Sequence, residues 1–169
     1  FASLGEGAVA DWSAIFLISV LSINDGSAAL GYTVFSICMF AMRLMGDRIS
    51  FKFGPSKTAR YSGLVALIGS IILLTFESFF PLIIGFGLIG LGIAVIIPLA
   101  FSRAGNDKNI SQGVAIASIA TLGYGGMLLG PLIVGLIAEF TSIKTSFFIL
   151  PILALFIFLL SKHLSIKAH

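Results

Sequence analysis

The sequence predicts an all-α membrane protein, a polytopic bundle of six transmembrane helices. Of its 169 residues, 58% are hydrophobic and only 10% are charged, whereas a soluble domain has about 25% charged residues. The 17 charged side chains also leave six charge-free runs, at 12–24, 26–42, 61–76, 78–102, 109–138 and 145–161. A helix needs about 20 mainly apolar residues to cross a hydrocarbon core of about 30 Å. None of the runs alternates as the strands of a transmembrane barrel do, so soluble, disordered and barrel classes are excluded.

Each run is assigned to one span, and the connections are short except for a basic stretch at 46–60. No room remains for a soluble domain, so function must reside in helices and short loops. The predicted spans are Phe1 to Ile23, Ala28 to Met45, Tyr61 to Glu77, Leu82 to Ser102, Gly113 to Ala138 and Thr145 to Ser161.

The distribution of basic residues predicts the orientation. Nine of the ten Lys and Arg, Lys108 and Lys167 among them, lie after spans two and four or in the C-terminal tail, and only Lys144 lies on the opposite side. Because cytoplasmic loops are enriched in Lys and Arg, the nine mark the cytoplasmic face and place the C-terminus there. The net charge of +3 therefore belongs to loops beside a membrane, and no nucleic acid partner is expected.

The start of the chain suggests a piece of a longer protein. Phe1 is not an initiator Met, and no signal-peptide pattern precedes the first span. We therefore expect a truncation within or just before that span. Three is an odd number of spans, so spans one to three and spans four to six would enter the membrane in opposite senses. That arrangement permits a 3+3 inverted repeat of the kind found in secondary transporters.

Glu6 and Asp11 in the first span are the strongest functional candidates. A carboxylate at membrane depth costs about 2.5–3.5 kcal/mol, so it normally faces the bundle interior or a water-filled cavity and marks a solute pathway or proton relay. The two carboxylates lie about 140° apart on a helix and do not share a proton. One can face a cavity while the other meets a neighbouring helix. The alternative for Glu6 is a wet position near the cytoplasmic end.

Other polar side chains are candidate cavity walls. Trp12, beside Asp11, is either a stacking wall for a ligand or a packed ring whose N–H has found a partner. Two stripes each share one helical face; the alternative is that their hydroxyls bond to backbone or to neighbouring helices. The stripes are Tyr32, Ser36, Met39 and Arg43 in span two, and Ser118, Thr121 and Tyr124 in span five.

The residue inventory argues against an enzyme. The histidines, His163 and His169, lie in the tail, so no His-based nucleophile or His metal site exists within the membrane. Cys38 is the only cysteine, which excludes an intramolecular disulfide and a cysteine metal site. An aspartyl intramembrane protease needs carboxylates on facing helices, whereas Glu6 and Asp11 share one helix. We predict no catalytic residue, no metal and no cofactor.

Glycine and proline are concentrated in spans four and five. Small residues let helix backbones approach closely in membranes, and Pro98 and Pro131 each remove an internal hydrogen bond and predict a kink. The glycines are Gly85, Gly87, Gly90, Gly92, Gly123, Gly125, Gly126, Gly130 and Gly135.

The stretch Arg43-Leu-Met-Gly-Asp-Arg-Ile-Ser-Phe-Lys-Phe-Gly54, placed here in the loop after span two, resembles the signature of the major facilitator superfamily. In that family the signature lies in the cytoplasmic loop between helices two and three and returns in degenerate form between helices eight and nine. Met42 and the Ser50-Phe51-Lys52 segment depart from the full pattern, which fits the degenerate copy.

Three further stretches resemble helices seven, ten and eleven of a bacterial branch loosely related to the fucose permease type. They are Glu6-Gly-Ala-Val-Ala-Asp-Trp-Ser13, Ile97-Pro-Leu-Ala-Phe-Ser102, and Gly123-Tyr-Gly-Gly-Met-Leu-Leu-Gly-Pro131 followed by Gly135 and Glu139. The resemblance covers nearly the whole chain in the right order. It implies that residues 1–169 are helices seven to twelve of a twelve-helix transporter of the bacterial inner membrane.

The resemblance also implies a mechanism, in which a solute is held between two six-helix halves that alternate between inward-open and outward-open states. Spans one, two, four and five would line the cavity. Arg43, Gly46, Asp47 and Arg48 would form a cytoplasmic charge latch at helix ends, where Asp and Arg complement the helix dipole.

We therefore expect a secondary active transporter for a small polar solute, a sugar-like one being a candidate, with proton coupling through Asp11 or Glu6 left open. Its partners would be the lipid bilayer, the solute and the missing N-terminal half. The alternative is a non-transporting six-helix membrane protein, such as an oligomeric channel or a scaffold.

Overall fold

The chain folds into a helical bundle, shown here by a computed structural model that describes residues 1–106 and 111–164. Within these residues, six helical segments are long and apolar enough to cross a membrane, which confirms the six predicted spans and the all-α class. Lys108, Lys167 and His169 lie outside the described residues. The helices are α1 (Ala2–Leu21), α2 (Asp25–Phe53), α3 (Pro55–Thr75), α4 (Phe79–Ile93), α5 (Ile96–Gly105), α6 (Gln112–Phe140), α7 (Ile143–Ser146) and α8 (Ile149–Leu160), followed by a 3₁₀ turn (Ser161–Leu164).

The predicted basic loop at 46–60 is wrong. Helix α2 continues to Phe53 and α3 begins at Pro55, so only Gly54 separates them. Gly54 has φ 84°, a conformation that favours glycine, and Pro55 suits the first position of a helix. Helix α2 has 29 residues and is about 43 Å long, so it extends beyond a hydrocarbon core of about 30 Å. Charged residues do not end a helix once it has left the core.

The start of α2 also lies earlier than the predicted Ala28. The side chain of Asn24 accepts a hydrogen bond from the Ser27 backbone N–H at 2.9 Å and caps the helix. Asp25 occupies the first turn, where a negative charge is favourable. An Asn-Asp pair is a recognisable helix start in sequence.

Proline interrupts the fourth span and leaves the fifth continuous. Pro98 lacks the N–H that would bond to the Ala94 carbonyl, and the helix breaks there, with α4 ending at Ile93 and α5 beginning at Ile96. The predicted kink at Pro98 is thereby confirmed as a break. Pro131 lies inside α6 without ending it, and it deprives the Met127 carbonyl of its usual helical donor.

The packing order places α4 at the centre of the bundle and α6 at its edge. Helix α1 packs against α6 and α2, α4 packs against α2 and α3, and α3 packs against α8. Spans one to three (α1, α2 and α3) form one unit, and spans four to six form the other. The first span of each unit contacts the second span of the other unit, as α1 does with α6 and α4 does with α2. The third spans, α3 and α8, contact each other. A 3+3 inverted repeat would produce such an exchange, and the repeat itself stays a prediction.

Glycine allows the closest helix crossings. A Cβ added at Gly90 would overlap the Phe35 carbonyl oxygen of α2, and one at Gly130 would overlap the Leu4 carbonyl oxygen of α1. Gly7 of α1 lies equally close to the Met127 carbonyl that Pro131 leaves without a donor. The expectation of close approach is confirmed at Gly90 and Gly130.

Three phenylalanines form the aromatic centre of the core. The ring of Phe16 lies 4.4 Å from that of Phe147 and 6.0 Å from that of Phe86, centroid to centroid. All three side chains are almost fully buried. They join the C-terminal half of α1 to α4 and to the α7–α8 junction. Ten residues, about 15 Å of helix, separate this cluster from Glu6, so the N-terminal half of α1 remains available for a site.

Candidate functional site

Glu6 and Arg43 form an ion pair between α1 and α2. Nη2 of Arg43 donates to both carboxylate oxygens of Glu6, at 3.1 and 3.2 Å. The Glu6 side chain is 20% exposed and that of Arg43 is 42% exposed, so the carboxylate is half-buried and the guanidinium is exposed. Helices α1 and α2 run antiparallel. Their lengths bring both residues to a similar depth in the bundle.

The ion pair lies on the wall of a cavity between α1, α2, α5 and the first half of α6. The cavity has a volume of about 460 Å³, within the 300–1,000 Å³ range typical of small-molecule sites. Its polar side chains are Ser3, Glu6, Arg43 and Tyr124, and the remaining lining is apolar or glycine. That remainder comprises Phe1, Ala2, Ile96, Ile97, Ala100, Phe101, Ile119, Ala120, Leu122, Gly123 and Met127.

This chemistry suits a small polar ligand. The pair offers charged hydrogen-bond donors and acceptors side by side, and the apolar wall lowers the local dielectric and strengthens their interactions. A ligand or proton that engages one partner must compete with the other. Within residues 1–106 and 111–164, no three His, Cys, Asp or Glu side chains come together as metal ligands would.

The stripe predicted on the fifth span divides between the cavity and the helix surface. Tyr124 lines the cavity. The hydroxyl of Ser118 donates to the Val114 carbonyl of its own helix at 2.8 Å, which is the alternative use foreseen for such hydroxyls. Thr121 is exposed on α6 and is not among the lining residues.

Asp11 and Trp12 lie outside this cavity. Nε1 of Trp12 donates to the Pro131 carbonyl at 3.0 Å, and the ring packs against Gly135 of α6. Trp12 is therefore a packed ring with a satisfied N–H, and not a wall of this cavity. Asp11 is exposed and does not line this cavity, so its role in a pathway or proton relay stays a prediction.

The stripe predicted on α2 faces three different surroundings. Met39 is 5% exposed and belongs to the hydrophobic core, so its placement on a cavity wall is corrected. Tyr32 is exposed, with its ring 6.0 Å from that of Phe35. Ser36 is half-buried, and neither Tyr32 nor Ser36 lines this cavity. Of the four residues of this stripe, only Arg43 lines the cavity.

The residues assigned to the latch are inside α2 rather than at helix ends. Gly46 packs against Val95, where α4 gives way to α5. Asp47 and Arg48 are exposed, and among the described residues the Asp47 carboxylate has no ion pair. A second cleft of about 430 Å³ between α2 and α5 is bordered by Asp47 and Arg103. Arg43 borders this cleft and the first cavity alike.

The partnership of Arg43 with Glu6 was not predicted from sequence. A usable signal existed, because Glu6 lies 15 residues before the end of α1 and Arg43 lies 18 residues after the start of α2. In an antiparallel hairpin these offsets correspond to similar depths, about 23 and 27 Å from the turn. Opposite charges at similar depth on consecutive spans make a pair possible, and the rotation of the two helices decides whether it forms.

Curated relatives match most of this chain. It is 42% identical over 151 residues to an uncharacterized transporter of Sinorhizobium fredii, a match covering 89% of the chain and 40% of the relative. It is 40% identical over 144 residues to an uncharacterized MFS-type transporter of Yersinia pestis, covering 85% and 38%. A match to the membrane protein MosC of Rhizobium meliloti shows 38% identity over 134 residues, covering 79% and 33%. The chain thus spans about two fifths or less of the length of these relatives.

The family comparison agrees with the sequence resemblance. Residues 2–165 match the model of the Major Facilitator Superfamily. Six apolar helices of spanning length and relatives named as transporters indicate an integral membrane protein. This chain belongs to the major facilitator superfamily of membrane transporters.

Proposed function

We propose that residues 1–169 form the C-terminal six-helix half of a twelve-helix secondary transporter that moves a small polar solute by alternating access. The relatives are more than twice as long as the matched segment, which leaves room for a first half. The order of the resembling motifs supports assignment to helices seven to twelve. The basic residues support a C-terminus in the cytoplasm, and the bacterial relatives support the inner membrane.

The observation that carries this proposal is the Glu6–Arg43 pair on the wall of a cavity of ligand size. Closed, the two side chains satisfy each other. When the ion pair separates, Arg43 offers several N–H donors and Glu6 offers a carboxylate acceptor to the same cavity. This combination suits a solute with several hydroxyl groups. A sugar-like solute fits this chemistry, with Tyr124 providing a further hydroxyl.

The same ion pair would couple proton binding to solute transport. Protonation of Glu6 removes the negative charge that holds Arg43 and makes the guanidinium available to the solute. Since Arg43 also borders the second cleft with Asp47 and Arg103, its release is felt by the segment assigned to the latch. Asp11 is the second candidate proton acceptor, exposed on the same helix.

The test uses the full-length protein and a panel of neutral sugars, small carboxylates and small amines. Solutes that raise the melting temperature in detergent are then tested for uptake and counterflow in proteoliposomes, with an internal pH dye reporting proton movement. We expect a neutral hydroxyl-rich solute to show saturable counterflow. Glu6→Gln should lower its rate by about tenfold or more, because a charged hydrogen bond contributes about 1.5–3 kcal/mol.

Asp25→Asn is the matched control. It makes the same carboxylate-to-amide change at an exposed position in the first turn of α2, and it should leave the rate unchanged. If no solute of the panel both stabilises the protein and moves with saturation, the transporter proposal fails. Flux without saturation or counterflow would indicate the channel alternative.

A further inference from the structure

A groove separates α2 from α3 at the end of the bundle that carries most of the basic residues. Its volume is about 350 Å³, large enough for a small-molecule site. It forms because Gly54 turns the chain sharply, and α2 and α3 then diverge around α4. Its walls are Met42, Ile49 and Phe53 of α2, Thr58, Tyr61, Ser62 and Val65 of α3, and Leu91 of α4.

The groove is apolar within and aromatic at its rim. The hydroxyl of Thr58 donates to the Gly54 carbonyl at 2.8 Å, so it is already satisfied. Phe53 is 51% exposed and Tyr61 is 62% exposed, as rings at a membrane interface commonly are. The inside of the groove therefore suits a hydrocarbon chain and offers little to a free ion.

The segment that forms the groove is rich in basic residues. Arg48, Lys52, Lys57 and Arg60 are all exposed, and Asp47 is the acid in the same segment. Nζ of Lys52 lies 5.4 Å from the ring centroid of Phe53, a residue of the groove wall. The guanidinium of Arg60 instead lies 4.8 Å from the Phe158 ring on α8. Lys52 and Lys57 directly precede the wall residues Phe53 and Thr58 in the chain, so they are the candidate cations for this groove.

We propose that this groove binds one anionic phospholipid, with an acyl chain in the groove and the phosphate against Lys52 and Lys57. The argument is charge complementarity, since basic pockets between transmembrane helices suit anionic headgroups. A zwitterionic lipid offers the same chain without the net charge, and inorganic phosphate offers the charge without the chain. Only an anionic lipid matches both parts of the site.

Native mass spectrometry of the full-length protein tests this proposal by counting bound molecules of phosphatidylglycerol, of phosphatidylcholine with the same acyl chains, and of inorganic phosphate. We expect one tightly held phosphatidylglycerol and no comparable adduct with the other two. The double variant Lys52→Gln, Lys57→Gln should weaken this adduct about 25-fold, since each Lys near anionic lipid contributes about fivefold in binding.

Two further variants separate the parts of the site. Val65→Phe fills the groove without changing charge and should also displace the lipid, whereas Lys144→Gln removes a Lys at the opposite end of the bundle and should have no effect. Equal binding of phosphatidylcholine, binding of phosphate alone, or equal loss in Lys144→Gln would each overturn the proposal. So would retention of the lipid in Val65→Phe, because the groove would then not hold the chain.

Discussion

Among the described residues, two ion pairs join distant parts of the chain, and they differ in their surroundings. Glu6 and Arg43 meet between two spanning helices, with 20% and 42% of their side chains exposed, beside an apolar cavity. Glu77 and Lys144 meet between the α3–α4 connection and α7, and Glu77 is 67% exposed. Both pairs satisfy the same geometric definition, and their cations are similarly exposed, Arg43 at 42% and Lys144 at 34%. The difference lies in the carboxylates, because Glu6 is far more shielded from solvent than Glu77.

The difference in exposure indicates which ion pair can contribute to function. An exposed pair contributes little, since water and salt screen it and its side chains lose entropy. A shielded pair is costly to break on one side, because the remaining charge keeps an apolar neighbourhood without a partner. The Glu6–Arg43 pair is therefore the one whose opening can be coupled to a solute or a proton.

The largest expected effect on stability comes from displacing α1 from its contact with α6. Gly130→Val should drive side-chain atoms into the Leu4 carbonyl and displace α1 from α6. Overpacking of this kind costs about 1–3 kcal/mol or more, and the Glu6 site should be lost with the fold around it. Gly125→Val is the matched control on the same helix, because no atom lies within 4 Å of its Cβ position. Thermal unfolding in detergent compares the two; equal melting temperatures would refute the tight crossing.

The next effect tests the comparison directly. Arg43→Gln leaves the Glu6 carboxylate beside the cavity without its partner and should destabilise the protein by about 1–3 kcal/mol, whereas Lys144→Gln should change the unfolding free energy far less. The double variant Glu6→Gln, Arg43→Gln should be less destabilised than Arg43→Gln alone, because it leaves no carboxylate without a partner. If Lys144→Gln proves as damaging as Arg43→Gln, the two pairs do not differ as described.

A moderate, kinetic effect is expected at the latch. Asp47 is exposed, and Gly46 beside it packs on the α4–α5 break. Asp47→Ala should therefore alter the turnover rate by about fivefold or more through the balance of states, with a smaller change in the apparent solute affinity. Initial uptake rates at several solute concentrations separate the turnover rate from the apparent affinity, with Asp25→Ala as the control. A change in affinity alone would count against the latch.

The smallest effect concerns pH at the exposed pair. The hydrogen bond from Lys144, and then its charge, lower the pKa of Glu77 from 4.5. A carboxylate with a lowered pKa in the folded state stabilises the fold above its unfolded pKa, and this contribution is lost as the pH falls through the folded value. The melting temperature of the wild type should approach that of Glu77→Gln below about pH 4.5. A difference that persists at lower pH would contradict this assignment.

The spans could be predicted because hydrocarbon thickness imposes a length that the charge-free runs reveal. The break before Pro98 followed from the missing N–H. The end of α2 could not be found in the same way, since charged residues such as Lys52 continue a helix outside the core and Gly54 alone stops it.

Site residues were predictable as candidates but not as partners. Glu6 stood out because a carboxylate at membrane depth needs a reason to be there. Its pairing with Arg43 depends on the relative depth and rotation of two helices. For Met39, periodicity indicated a face shared with Arg43 without showing that the hydrophobic core lies opposite it. For Trp12, the position beside Asp11 could not show which of its two uses holds. Such information belongs to packing rather than to the residue type.

The central claim is that the cavity beside Glu6 and Arg43 changes its access when the pair opens. Ala120 lines this cavity, whereas Ala117, on the same helix, does not. In full-length protein carrying Cys38→Ala, the labelling rate of Ala120→Cys by a membrane-impermeant maleimide should change about fivefold or more when Glu6→Gln is added. The rate for Ala117→Cys should stay constant. An Ala120→Cys rate unaffected by Glu6→Gln would contradict the account.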